Sequence, residues 1–121
     1  MDVIEETHSL IAGDKVAGTS VYNRAGEKIG AIHDVMIDKR SGKVAYAVMS
    51  FGGFLGLGES YHPLPWSTLD YDVGQGGYVV DLSRDQLKGA PHYGAEDRPR
   101  WDRDYETRLH DYYHAPYYWG M

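Results

Sequence analysis

Residues 20–69 read SVYNRAGEKIGAIHDVMIDKRSGKVAYAVMSFGGFLGLGESYHPLPWSTL. Four short apolar runs lie in this segment, at residues 21–23, 28–38, 44–51 and 61–66. The residues between these runs include Asn, Asp, Gly and Ser, which form tight turns. Short apolar runs separated by such turns predict antiparallel strands. We therefore expect a mainly β protein, built as a small antiparallel barrel or rolled sheet.

The composition limits the classes of function that this chain can have. It has 121 residues, no cysteine and a formal net charge of −6. The length suits one domain with an appended segment, and the absence of cysteine excludes disulfides, thiolate nucleophiles and cysteine-ligated metals. The negative charge argues against general binding to DNA, RNA or anionic membranes. No apolar run approaches the roughly 20 residues of a membrane-spanning helix, and the acidic N-terminus does not resemble a secretory signal. We expect a cytoplasmic protein that does not insert into membranes.

Residues 44–51 carry apolar side chains on both faces of the predicted strand. One face has Val44, Tyr46 and Val48, and the other has Ala45, Ala47, Met49 and Phe51. A strand with one solvated face alternates apolar with polar residues. This strand is therefore predicted to be covered on both faces. The barrel interior covers one face, so the second cover is either another element of this chain or a second subunit.

The flanking segments carry weaker signals. Residues 15–19 suit a short edge strand, and Gly30 marks a bend or bulge in the second long strand. Residues 67–73 lead into the turn at residues 74–77, and residues 78–82 form the last predicted strand.

Two helical segments are predicted after the last strand. Ser83 and Gln86 have the spacing of a capping box, and Gly89 suits the end of the short helical turn that follows. Further on, Asp97 is placed to cap a longer helix that Pro116 would end. Apolar and aromatic side chains recur at helical spacing on one face of that helix. These residues are Trp101, Tyr105, Leu109, Tyr112 and Tyr113.

Several segments together, in their order and spacing, carry a family resemblance: residues 21–22 with 26–30, then 34–38, 42–46, 65–67 and 87–91. They resemble the PRC-barrel domain, a β-barrel module named after the H subunit of the photosynthetic reaction centre and also found in a ribosome maturation factor. The resemblance covers about residues 10–93, and it implies a small closed barrel of about six strands that serves as an interaction module. We therefore divide the chain into a barrel domain with a short N-terminal arm, residues 1–93, and an aromatic C-terminal helix and tail, residues 94–121.

The segment GGFLGLGE at residues 52–59 is rich in glycine, as phosphate-binding loops are. Its glycine spacing reverses the order of the dinucleotide-binding fingerprint, and no Gly-Lys-Ser/Thr follows. A wide hairpin loop is the preferred interpretation. The loop carries three apolar side chains that we expect to pack against another surface. They are Phe54, Leu55 and Leu57.

No pattern in the sequence supports a catalytic, cofactor or metal site. His110 and His114 have a spacing that can bind metal on a helix, but no His-Glu-x-x-His and no cysteine accompany them. No serine lies in a nucleophile elbow. Carboxylates occur singly at strand ends and turns, where structural roles are common. They are Asp34, Asp38, Asp70, Asp72 and Asp81. We therefore predict that the protein is not an enzyme and holds no cofactor and no metal.

Two functions remain open. The preferred one is a non-catalytic interaction or scaffold module that forms a homodimer. Its predicted contact residues are Phe54, Leu55, Leu57, Trp101, Tyr105, Leu109, Tyr112 and Tyr113. The alternative is an RNA- or ribosome-associated accessory domain that uses Lys39, Arg40 and Lys43, here called the basic turn, with Arg24 and Lys28 nearby. The net charge makes RNA the less favoured partner.

Overall fold

The computed structural model describes residues 10–52 and 59–119. Within them, six strands form one sheet, accompanied by three helices and a 3-10 turn. The strands are β1 (Ser20–Asn23), β2 (Lys28–Ile37), β3 (Val44–Phe51), β4 (Ser60–Pro65), β5 (Leu69–Asp72) and β6 (Gly77–Val80). The helices are α1 (Gly13–Val16), α2 (Arg84–Lys88) and α3 (Arg103–Tyr113), and the 3-10 turn is Trp66–Thr68. This architecture confirms the predicted mainly β fold with a short helix after the last strand and a C-terminal helix.

The strand order in the sheet is β4-β3-β2-β1-β6-β5. Neighbouring strands run antiparallel except β1 and β6, which are parallel, with Val21 opposite Tyr78 and Asn23 opposite Val80. The parallel pair differs from the all-antiparallel prediction. Parallel neighbours need a long crossover connection, and the residues between β1 and β6 supply one because they form the other four strands.

The two edge strands of the sheet, β4 and β5, are joined by a tight corner of the chain. β4 ends at Pro65, and the turn Trp66–Thr68 leads directly into β5. Thr68 Oγ1 donates to the Pro65 carbonyl oxygen at 2.7 Å, and Leu69 N–H donates to the Trp66 carbonyl oxygen. No ladder pairs β4 with β5 in the part of the chain that the structure describes. The sheet therefore curls into a half-barrel, and this corner links its two edges.

Predicted turns hold the hairpins at both ends of β2. Asn23 Oδ1 accepts hydrogen bonds from the backbone N–H groups of Ala25 and Glu27, both at 3.0 Å. At the other end, the Asp38 carboxylate accepts from Ser41 N–H at 3.0 Å. Asn and Asp side chains stabilise short turns in this way, so the two hairpin predictions are confirmed.

The prediction of a short edge strand at residues 15–19 is wrong. Gly13–Val16 form the single helical turn α1, and Gly18 follows with a φ of 91°, which glycine adopts far more readily than other residues. Five residues are too few for periodicity to distinguish a strand from a helical turn. A second difference lies at Leu69–Asp72, which were expected only to lead into a turn but form β5.

The interior of the curled sheet encloses the larger of two apolar clusters. The side chains at its centre are at most 1% exposed, and they include Val21, Ile32, Met49, Leu64, Val80 and Leu87. Leu87 comes from α2, which begins with the predicted capping box of Ser83 and Gln86. The register between β1 and β2 shifts beside Gly30, which confirms the predicted irregularity there.

Candidate functional site

The outer face of β3 is covered by α3, and this contact forms the second apolar cluster. Its buried members are Ala45 and Tyr46 from β3 and Tyr105 and Leu109 from α3, with Met36 and Trp101 packed against them. Tyr46 is 1% exposed and Leu109 is fully buried. In this structure, the second cover that the apolar pattern of β3 requires comes from the same chain.

The N-cap of α3 differs from the prediction, whereas its end agrees with it. Asp102 is the N-cap, and its carboxylate accepts a hydrogen bond from Tyr105 N–H at 3.0 Å. Asp97 was predicted to cap the helix, but the residue before a proline avoids helical backbone angles, so Pro99 delays the start. His114 ends the helix in the left-handed conformation, with φ 54° and ψ 37°, shortly before the proline predicted to end it.

A buried polar network lies inside the second cluster. Tyr46 OH donates to Glu106 Oε1 at 2.9 Å, and His110 Nε2 lies 2.8 Å from the Tyr46 hydroxyl oxygen. Because the single hydroxyl hydrogen goes to the carboxylate, His110 Nε2 carries a hydrogen and donates it to Tyr46. Tyr118 OH donates to the same Glu106 oxygen. Burial, together with the Glu106 carboxylate, raises the pKa of Tyr46, so its phenol stays protonated.

Aromatic residues after α3 enclose the His110 ring. The ring centroids of Tyr117, Tyr118 and Trp119 lie 5.6, 6.0 and 5.2 Å from that of His110. The guanidinium carbon of Arg103 lies 3.8 Å from the Trp119 ring centroid, which is a cation–π contact. The end of the tail therefore folds back onto α3 and covers the polar network.

The predicted contact residues do not share one surface. Three of them pack on β3 in the second cluster: Trp101, Tyr105 and Leu109. Tyr113 packs against the interior cluster, whereas Tyr112 is 38% exposed and its hydroxyl donates to the Gln86 carbonyl oxygen. The three residues of the glycine-rich loop lie outside the described residues: Phe54, Leu55 and Leu57.

A hollow of about 260 Å³ lies beside the second cluster, at the end of β2. Ile37, Trp101 and Tyr118 line it, and we call the surface that these three form the apolar hollow. Ile37 is 56% exposed and Tyr118 is 38% exposed. Lys39 and Arg40 of the basic turn also border it. The apolar hollow is thus an exposed, concave surface, and its lining also includes the carboxylates of Asp38 and Glu106.

Sequence reasoning missed Ile37 as a surface residue. Strict alternation placed it on the face of β2 that carries Ile29 and Val35, and both of these pack in the interior cluster. The register between β2 and β3 shifts between Met36 and Ile37, and such a bulge redirects the side chains beyond it. No residue type marks this bulge, so the pattern alone cannot reveal it.

The expectation that Arg24 and Lys28 lie near the basic turn is wrong. Lys28 begins β2 and the basic turn follows its end, which puts them about 30 Å apart along a strand of this length. Arg24 lies next to Lys28 in the first hairpin, where its Nη2 is 3.4 Å from Asp70 Oδ2. The positive charge of the basic turn therefore comes from its own three residues, and Arg24 and Lys28 do not add to it.

His110 and His114, whose spacing can bind metal on a helix, lie in different surroundings. His110 is buried in the polar network, whereas His114 is exposed at the end of α3. Elsewhere the His62 and His92 rings stack with centroids 5.1 Å apart. Among the described residues, no group of three or more His, Cys, Asp or Glu side chains is arranged to hold a metal ion.

His62 is a buried histidine in contact with a serine. Its Nε2 lies 3.0 Å from Ser60 Oγ, while its buried Nδ1 has no hydrogen-bond partner among the described residues. A histidine that activates a serine nucleophile bonds an orienting carboxylate through Nδ1. Burial, together with the charge of His92, lowers the pKa of His62 to about 4, so the ring is neutral at physiological pH. The pair lacks the third group that nucleophilic catalysis uses.

The curled six-stranded sheet, with its short helix after the last strand, defines a small β-barrel module. The PRC-barrel domain family model matches residues 8–87, and the chain belongs to this family, as the resemblance indicated. Membership supports a non-catalytic module of this fold. The chain is 28% identical over 79 residues to an uncharacterised protein of Deinococcus radiodurans. That match covers 65% of this chain but only 28% of the relative's length. Where the structure describes the chain, no helix is both long and apolar enough to cross a membrane.

Proposed function

We propose that this chain is a non-catalytic protein-interaction module that forms a homodimer through the apolar hollow. The observation that carries this proposal is the joint exposure of Ile37 and Tyr118 on one concave surface with Trp101. Exposed apolar surfaces of this kind, rimmed by polar residues, are typical of protein–protein contact sites. Aromatic residues are enriched at the centres of such contacts.

The charges around the apolar hollow favour a second copy of this chain as the partner. Lys39 and Arg40 border it, and so do the carboxylates of Asp38 and of Glu106 in the first turn of α3. A two-fold axis through the hollow would bring the basic turn of one subunit towards the acidic start of α3 in the other. A two-fold contact pairs a surface with itself, so basic and acidic groups on one surface can complement each other.

The C-terminal helix and tail have two roles in this proposal. Tyr105 and Leu109 hold α3 on β3, and Tyr118 supplies part of the contact surface. An exchange of α3 between subunits is the alternative form of the dimer, because an exchanged helix would make the same contacts with the partner's β3. The apolar residues of the glycine-rich loop, Phe54, Leu55 and Leu57, are proposed to extend the interface.

Light scattering during size-exclusion chromatography tests the proposal at tens of micromolar protein. We expect the intact chain to elute as a dimer and Ile37→Glu to elute as a monomer, because the contact would have to desolvate the added carboxylate. Val73→Glu is the matched control, since Val73 is 60% exposed but lies after β5, away from the hollow. A monomeric intact chain would refute the dimer. A dimeric Ile37→Glu variant would refute the hollow as the interface and favour helix exchange.

A further inference from the structure

A second cavity, of about 420 Å³, opens on the outer face of the sheet between β2, β4 and the segment that precedes α3. Met36 and Val48 contribute apolar surface to it, and Val48 is buried. Its aromatic lining consists of His33, Tyr61, Tyr93 and Trp101. It shares only Met36 and Trp101 with the lining of the hollow described above. Its volume lies within the range of small-molecule sites, roughly 300–1,000 Å³.

The aromatic wall of this cavity is held in place by backbone hydrogen bonds. Tyr61 N–H donates to the Tyr93 carbonyl oxygen at 2.9 Å, and Tyr93 N–H donates back to the Tyr61 carbonyl oxygen at 3.1 Å. The two rings lie with centroids 5.8 Å apart, and the His33 ring lies 4.5 Å from that of Tyr61. This pairing fixes the segment around residue 93 to β4 and thereby holds the aromatic wall of the cavity in place.

Two opposite charges line the same cavity without pairing with each other. The Arg98 guanidinium makes no hydrogen bond or ion pair within residues 10–52 and 59–119. Asp34 Oδ1 accepts from the N–H of its own neighbour Val35 at 2.8 Å, and no cation pairs with this carboxylate in the same residues. Burial raises the pKa of Tyr93, while the charge of Arg98 acts to lower it and that of Asp34 to raise it. Both charges therefore lie within electrostatic reach of one side chain of the cavity wall.

We propose that this cavity binds a small zwitterion with an aromatic or aliphatic side chain, in other words a free α-amino acid. Arg98 would bind the carboxylate, since a guanidinium offers paired donors in a planar fork. Asp34 would bind the ammonium group, which aromatic rings also attract through their faces. Met36 and Val48 would contact the side chain. Arg98 and Asp34 are both solvent-exposed at the rim of the cavity, so a ligand with only one charge would make only one of the two ionic contacts.

Isothermal titration of the full chain with L-tryptophan and L-leucine tests the class of ligand. We expect saturable binding of one or both amino acids in the micromolar to millimolar range. Tryptamine lacks the carboxylate and indole-3-propionate lacks the ammonium group, so each should bind roughly tenfold more weakly than tryptophan. The proposal is overturned if neither amino acid binds, or if either analogue binds as tightly as tryptophan.

Matched variants test whether Arg98 and Asp34 bind the amino acid. Asp34→Asn keeps the side-chain size, and Arg98→Gln keeps a polar side chain without the charge. Each should weaken amino-acid binding roughly tenfold. Arg100→Gln, an exposed arginine outside the cavity, should bind as the unmodified chain does. Ile37→Glu should also bind normally, which separates this site from the proposed dimer contact. Unchanged binding by Arg98→Gln, with unfolding curves that show an intact fold, would refute the assignment.

Discussion

Gly30 allows β2 and β3 to lie close together, because it has no side chain. A Cβ atom at this position would collide with the Ser50 carbonyl oxygen and lie 2.9 Å from Met49 Cγ. Since the β3 backbone cannot move without disturbing its ladders, Gly30→Ala should lower the free energy of unfolding by roughly 1–3 kcal/mol. Chemical denaturation measures this change. Gly13→Ala is the control, because nothing lies within 4 Å of its added Cβ. A Gly30→Ala variant as stable as Gly13→Ala would contradict the prediction.

His62 makes stability depend on pH. Its pKa is about 4 in the folded chain, against about 6.5 for an exposed histidine in the unfolded chain. The unfolded chain therefore gains a proton first as the pH falls. The free energy of unfolding therefore has its full value, as far as His62 is concerned, above about pH 6.5. It decreases as the pH falls towards 4, by roughly 3 kcal/mol at most.

Denaturation of the unmodified chain and of His62→Phe at a series of pH values checks this prediction. The unmodified chain should lose more stability than the variant between about pH 7 and pH 4. His114→Gln, at an exposed position, should keep the pH dependence of the unmodified chain. A pKa near 6.5 for His62, measured by NMR titration, would show that burial of this ring does not cause the pH dependence of stability.

At the scale of elements, the contact between α3 and β3 holds the C-terminal segment on the sheet. Leu109 is fully buried in this contact, so Leu109→Ala should lower the free energy of unfolding by roughly 2–5 kcal/mol. Asp104→Ala, on the exposed side of the same helix, should change it by less than about 0.5 kcal/mol. A Leu109→Ala variant as stable as Asp104→Ala would contradict this packing of α3 on β3.

At the scale of the whole molecule, the net charge of −6 sets the expectation for nucleic acids. The basic turn has three cations, and the exposed arginine of the opposite hairpin, Arg24, lies beside Asp70. We expect no tight binding to single-stranded RNA at physiological salt, because such binding combines a basic groove with aromatic stacking. Fluorescence anisotropy with a labelled oligonucleotide measures it. A sub-micromolar, salt-sensitive affinity that is lost in a variant combining Arg40→Ala with Lys43→Ala would favour the RNA-associated alternative.

The sequence by itself determined the local structure of this protein. Alternating side chains and turn residues predicted the main strands, and a capping box predicted α2, because each signal acts between neighbours in the chain. The apolar residues on both faces of Val44–Phe51 also required that β3 be covered twice.

Only the tertiary structure decided which segment supplies the second cover and which side chains meet on the outer surface. The parallel pairing of β1 with β6, the outward turn of Ile37 and the presence of Asp34 and Arg98 in one cavity all depend on packing between distant segments. The crossover and the bulge before Ile37 leave no local residue pattern, because the energy that stabilises them comes from contacts made only when the whole sheet has formed. The curled β-sheet was therefore predictable from the sequence, whereas its opening into a half-barrel and its candidate sites were not.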